Sequence, residues 1–202
     1  MRHSGPVVDE NAWLRKIAEN PDHSRWYVQR WRDIAASGAD IAGEARLVDA
    51  IVPRGARILD AGCGTGRVGG FLAAAGHDVV GVDLDPELIA AARQDHPGSR
   101  WVVSDLAGLD LPDAFDAAIC VGHVMTFLAP STRLEVLRRL RRHVRTGGRV
   151  VIGFGGDRGY GYDAFFADAA AAGLTLEVTL GTWDLRPFTP GSDFLVALLA
   201  VA

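Results

Sequence analysis

From Arg57 onward, short apolar runs alternate with stretches of helical period. Runs over 57–60, 78–83, 100–104, 115–121 and 149–154 predict strands. Between them the pattern predicts a helix over 66–75, ended by Gly76, and another over 86–94 with Pro86 in its first turn. A third is expected from Thr132 to about Arg145, because Thr132 and Glu135 have capping-box spacing and Gly147-Gly148 would stop it. A helix over 162–172 and strands over 174–180 and 194–201 complete the series. Strand–helix alternation predicts a mainly parallel sheet with helices on both faces. The loop 181–193 has no helical pattern, so the last two strands are expected to be antiparallel neighbours.

The first forty residues follow a different pattern. Asp9 is read as the cap of a helix over 10–20, with Pro21 beyond its end. A second helix is predicted over 24–36, closed by Gly38. A third is predicted over 40–52, with Ile41, Ala45, Val48 and Ile51 or Val52 on one face and Pro53 and Gly55 after it. Trp13, Trp26 and Trp31 are three of the five tryptophans. The expected organisation is a helical cap or lid over 1–40 and an α/β domain over 41–202.

Composition narrows the class. Apolar residues make up 49 % of the 202, enough for a full core. The net charge of −4 argues against a nucleic-acid partner. Cys63 and Cys120 are not spaced as a metal pair and exclude a disulfide scaffold. Residues 1–10 are polar with no apolar leader, and the apolar stretch 194–202 is too short to span a membrane. The expectation is a cytoplasmic protein with no membrane association and no metal site. Lys16 is the only lysine, and no mechanism is drawn from the arginine bias.

The sequence from Ile58 to Gly66, ILDAGCGTG, follows a strand and opens a helix. Its glycines permit a tight turn and close approach of a ligand. Read alone, it is also compatible with a structural turn. The dinucleotide fingerprint has a different spacing, and Asp60 before the turn suits an ammonium or sulfonium better than a pyrophosphate. Asp83 ends the second strand and can accept from ribose hydroxyls. Its alternative role is a helix cap, for which Asp85 is better placed. Asp105 ends the third strand and can accept from an exocyclic amine, or cap a turn. Ligands of open α/β sheets bind at the carboxyl ends of the strands, near the switch point.

With these residues in place, the chain resembles class I S-adenosylmethionine-dependent methyltransferases. The matching stretches are LDAGCGTGR (59–67), VVGVDLDPELIAAAR (79–93), VVSDL (102–106), FDAAICVGHVMTFL (115–128) and LRRHVRTGGRVVIGF (140–154). The resemblance implies a Rossmann-like seven-stranded sheet of order 3-2-1-4-5-7-6 with strand 7 antiparallel. It also implies that Asp60 and Gly62, Cys63 and Gly64 face the methionine part of the cofactor, S-adenosylmethionine. Asp83 would take the ribose and Asp105 the adenine, with Leu84 and Leu106 packed on the ring. Ala61 and Val121 are counted with them in the cofactor site.

The expected reaction is direct in-line displacement onto a small-molecule acceptor, without a metal. After the fourth strand the chain reads Cys120-Val-Gly-His123. It lacks both the Asn-Pro-Pro-Tyr-like motif of amino-nitrogen methylation and the Pro-Cys pair of cytosine-carbon methylation. His123 is the catalytic candidate, as a base or a positioning group, against a plain loop histidine bonded to backbone. Trp26, Tyr27, Tyr160, Tyr162, Trp183 and Arg186 are candidates for the acceptor site. Trp26, Tyr27 and Trp31 can equally serve to pack the cap. Arg67 is read as a cofactor-carboxylate ligand or a surface residue. The arginines of 138–145 are read as a solvated helix face. The rival readings are a cofactor-binding sensor without catalysis and a nicotinamide-dependent oxidoreductase.

Overall fold

The computed structural model describes residues 9–112, 114–156 and 158–202. The polar opening residues 1–8, read above as carrying no leader, lie outside the described residues.

Seven strands form one sheet: β1 (Arg57–Ala61), β2 (Asp78–Asp83), β3 (Arg100–Val103), β4 (Phe115–Cys120), β5 (Val144–Gly155), β6 (Leu174–Leu180) and β7 (Phe194–Val201). Their order is β3-β2-β1-β4-β5-β7-β6. The first five pair in parallel, and β7 runs antiparallel between β5 and β6. This is the expected topology. A chain that reaches β7 through a loop without a crossover helix must reverse direction.

Strand periodicity sorts the core into two layers. Leu59, Val80, Ala118 and Ile152 point to one side, where Val136, Leu137 and Phe165 meet them. Ile58, Val79, Ile119 and Val151 point to the other, against Ala45, Val48 and Leu72. The helices are α1 (Ala12–Glu19), α2 (His23–Ala36), α3 (Gly43–Ile51), α4 (Arg67–Ala74), α5 (Pro86–Asp95), α6 (Val124–Phe127), α7 (Arg133–His143) and α8 (Tyr162–Ala171).

Four local expectations need correction. Asn11, not Asp9, caps α1, accepting from the amides of Trp13 and Leu14; Asp9 instead accepts from the amide of Ser131. Asp40 and Ile41 precede α3, because the Asp40 carboxylate holds the amide of Ala42 and the guanidinium of Arg46. The capping box before α7 does not form. Thr132 Oγ1 donates to the Ala129 carbonyl, and Glu135 pairs with Arg139. Finally, β5 begins at Val144, which pairs with Phe115 before regular pairing resumes at Arg149 and Ala117. Gly147 and Gly148 therefore lie in an irregular stretch of strand rather than ending a helix.

The arginines of 138–145 lie at the surface, with Arg138, Arg142 and Arg145 exposed, and most of them pair locally. Arg139 and Arg142 pair with Glu135, Arg145 with Asp116, and Arg141 donates to the Gly173 carbonyl. Among the described residues no helix is long and apolar enough to cross a membrane.

Candidate functional site

The sheet reverses its strand order between β1 and β4, and a cleft of about 820 Å³ opens there at the carboxyl ends of the strands. Asp60, Gly62, Cys63 and Gly64 line it from the first turn, Asp83 and Leu84 from the second, Asp105 and Leu106 from the third, and Val121 from the end of β4. Nine of the ten residues expected around a cofactor thus meet in one cavity. Ala61 is the exception. It is fully buried in the core, because strand alternation turns it away from the cleft.

The first turn is shaped by contact. Gly62 has φ of +80°, and a Cβ placed there would lie 2.4 Å from a methyl carbon of Val124. Gly66 and Gly81 make room for the Trp101 ring, which would meet their added Cβ atoms at 2.8 and 2.2 Å. The turn is therefore braced by an indole from β3 that its own motif did not reveal.

The three carboxylates differ. Asp60 is 1 % exposed and accepts from the Gly69 amide at 2.9 Å. Burial pushes its carboxyl up to about 7, against the pull of that amide and of Arg67. Asp83 leaves the cap of α5 to Asp85, as expected, and is engaged by backbone amides. Its Oδ2 accepts from the Gly64 amide at 2.9 Å and its Oδ1 from the Asp85 amide at 3.0 Å. Each oxygen thus holds one backbone N–H and keeps further acceptor capacity. Burial raises Asp83 to about 6. Asp105 is exposed and caps a 3₁₀ turn by accepting from the Ala107 amide. Asp85 caps α5 as expected, and it also accepts from Trp13 Nε1 and Ser24 Oγ.

A second, wider space of about 1190 Å³ adjoins the cleft, sharing Trp13, Tyr27, Trp31, Gly122 and Phe127 with it. Trp26, Trp183 and His123 line this vestibule. His123 has φ of +71°, and its Nδ1 accepts from the Gly155 amide at 3.1 Å. Burial and the nearby Arg158 lower its basicity. With Nδ1 engaged as acceptor, the neutral ring carries its proton on Nε2.

Residues 58–148 match a methyltransferase-domain family. The crystal structure of a TehB-like SAM-dependent methyltransferase from Corynebacterium glutamicum is 52 % identical, with a TM-score of 0.88, over 91 % of this chain and all of that one. The chain belongs to the S-adenosylmethionine-dependent methyltransferases. A malonyl-[acyl-carrier protein] O-methyltransferase of Pectobacterium atrosepticum is 34 % identical over 53 % of this chain and 42 % of its own length. A dTDP-3-amino-3,6-dideoxy-alpha-D-glucopyranose N,N-dimethyltransferase of Streptomyces fradiae is 31 % identical over 75 % of this chain and 58 % of its own length. The chain thus spans about half the length of these two curated relatives.

Not every acceptor candidate of this methyltransferase reaches the cleft or the vestibule. Tyr160 is 2 % exposed, stacks on Phe154 and donates to Asp168 at 2.6 Å. The Tyr162 hydroxyl accepts from the Gly156 amide, and its ring packs on Phe188. Arg186 is exposed and pairs with Asp184. Arg67 lines the cleft rather than the surface, but it is not an unpaired cation. It donates twice to Glu44, at 2.9 and 2.6 Å, and also to the Ile41 carbonyl. Cys120 is core, as expected, and burial raises both thiols.

The sequence reading missed Asn11, Trp13, Thr65, Val124 and Phe127, which also line the cleft. Val124 and Phe127 lie inside a quoted stretch, but the short helix α6 that turns them inward left no periodic signal.

Proposed function

We propose that this chain binds S-adenosylmethionine in the cleft and transfers its methyl group to a small molecule held in the vestibule, by direct in-line displacement. The carrying observation is the convergence of the glycine turn and three acidic strand ends on one cavity that opens into a second, aromatic one. The donor set fits the cofactor. The spare acceptor capacity of Asp83 suits a ribose diol, and exposed Asp105 suits the adenine amine. Leu84 and Leu106 offer apolar faces for the ring. Asp60, a buried carboxyl beside the turn, suits the cationic end. When bound, the cofactor supplies a methyl group made electrophilic by its sulfonium sulfur.

The chain's own part is to orient and to exclude water. Helices α1 and α2 carry Trp13, Tyr27 and Trp31 over both spaces, and we read the described part of the 1–40 cap, residues 9–40, as the lid. His123 presents Nε2–H as a donor, so it positions an acceptor; taking a proton through Nε2 would require losing the bond from Gly155. The amino sugar nucleotide in the name of one relative is in keeping with a small-molecule acceptor.

Calorimetry with S-adenosylhomocysteine, followed by methyl transfer to a panel of small acceptors, tests the reading. Heat on binding together with turnover supports it. Heat without turnover on any acceptor favours a sensor role, and no heat overturns the cofactor site.

A further inference from the structure

The vestibule has an electrostatic character that the cofactor reading does not explain. The whole chain carries a net charge of −4. Yet Lys16, Arg30, Arg67 and Arg158 line this one space, and among the described residues the only lining carboxylate is Glu44. Glu44 is held by Arg67. Lys16, Arg30 and Arg158 make no ion pair among the described residues, whereas most arginines elsewhere are tied to a carboxylate or a carbonyl. Lys16, Arg30 and Arg158 are all exposed at the rim, and unpaired charge of one sign around a concave opening attracts a ligand of the other sign.

The walls between these cations are flat and aromatic. Trp26 is 54 % exposed and lines this space, with His23 stacked on its ring. Trp31, Trp183, Phe127 and Phe194 face the same space. The Arg30 guanidinium lies 5.7 and 5.9 Å from the Trp26 and Trp31 ring centroids, so it can serve a ring and an anion together.

We propose that the methyl acceptor is a planar aromatic anion, its ring held among Trp26, Trp31 and Trp183 and its anionic group met by Lys16, Arg30 and Arg158. The inference rests on the cleft being the cofactor site, and it adds the acceptor's class. It also agrees with the hydrogen bonding of His123. The anionic atom is itself the nucleophile: its bond to the methyl carbon forms as the sulfur–methyl bond breaks, S-adenosylhomocysteine leaves, and no proton has to pass to His123, whose Nδ1 is engaged.

The test is calorimetric, on the full chain saturated with S-adenosylhomocysteine. The probes are 2-naphthoate, 2-naphthamide and 2-(aminomethyl)naphthalene, which share a ring and differ in charge. The carboxylate is expected to bind about tenfold more tightly than the amide, as a few partly exposed charge contacts provide. In the Arg30→Gln/Arg158→Gln double variant the preference should fall to about twofold, since only Lys16 remains. The affinity for S-adenosylhomocysteine should be unchanged, because neither arginine lines the cleft. Should the double variant not fold, Arg158→Gln alone should show an intermediate loss and Arg158→Lys should restore the preference. Equal binding of the three probes, a preference for the amine, or no binding of the carboxylate overturns the inference while leaving the cofactor reading intact. Failure of S-adenosylhomocysteine itself to bind overturns both.

Discussion

A methyl group added at Gly62 would press into Val124, at a backbone angle that side chains rarely adopt. Gly62→Ala is therefore expected to cost about 1–3 kcal/mol. It should also weaken S-adenosylhomocysteine binding while far-UV circular dichroism stays native, because the strain falls on the turn and on α6. Asp83→Asn keeps the side chain's shape but replaces one acceptor oxygen with an NH₂ donor. Cofactor affinity by calorimetry should drop about tenfold or more, as a paired acceptor is lost. The same carboxylates make binding depend on pH. Burial holds Asp60 up to about 7 and Asp83 up to about 6, against 3.8 unfolded. Between pH 4 and 7 the native state thus retains protons that the unfolded chain has released, so these two groups contribute less stability as pH rises through that window. A cationic ligand favours their ionised forms. Its affinity should therefore rise from pH 5.5 to 8, with proton release seen at pH 6 in buffers of different ionisation enthalpy. Pairing across the fold was legible at this scale only where the chemistry was local. Asp85 as the cap of α5 followed from its position before Pro86, whereas its bonds to Trp13 and Ser24 span 72 and 61 residues.

At the scale of elements, the Asp85 carboxylate is one of the points that fasten the cap to the site, beside the Arg32–Asp95 pair and the packing of Trp13 and Val28 on Leu88 and Ala91. Asp85 receives Trp13 from α1 and Ser24 from α2, and its own amide binds Asp83. Trp13→Phe removes the indole donor and leaves the ring contacts with Tyr27 and Phe127 available. It should cost about 1 kcal/mol. Amide exchange should accelerate in α1 and α2 but not in β1 or β4, whose protection comes from the buried sheet. Loss of protection across the whole chain would show instead that the cap is an integral part of the core. Long elements with a clean period were legible before any coordinates, as α5, β2 and β7 show. The misses fell on short or interrupted ones. Helix α6 has four residues, less than the span over which a helical period can be recognised. Strand β5 carries a register shift that looks like a helix stop in sequence.

For the molecule as a whole, the strand order places the acidic ends of β1 and β2, and Asp105 just beyond β3, around the reversal between β1 and β4. A ligand that binds only the native state raises the melting temperature, so S-adenosylhomocysteine at a hundred times its Kd should stabilise the chain by about 2.7 kcal/mol. NADH should leave it unmoved, since the turn lacks the pyrophosphate-binding spacing. Stabilisation by NADH alone would return the chain to the oxidoreductase reading. The alternation of apolar runs and helices, the reversal at β7 and the acid-ended strands were all determined by the sequence itself, because each depends on neighbours within a few residues. Which aromatic side chains reach the cleft was decided by tertiary structure alone. Tyr27 lines it, while Tyr160 is sealed against Phe154 and Asp168. The direction a side chain takes from the end of an element is set by what packs against it, and those partners arrive from distant parts of the chain.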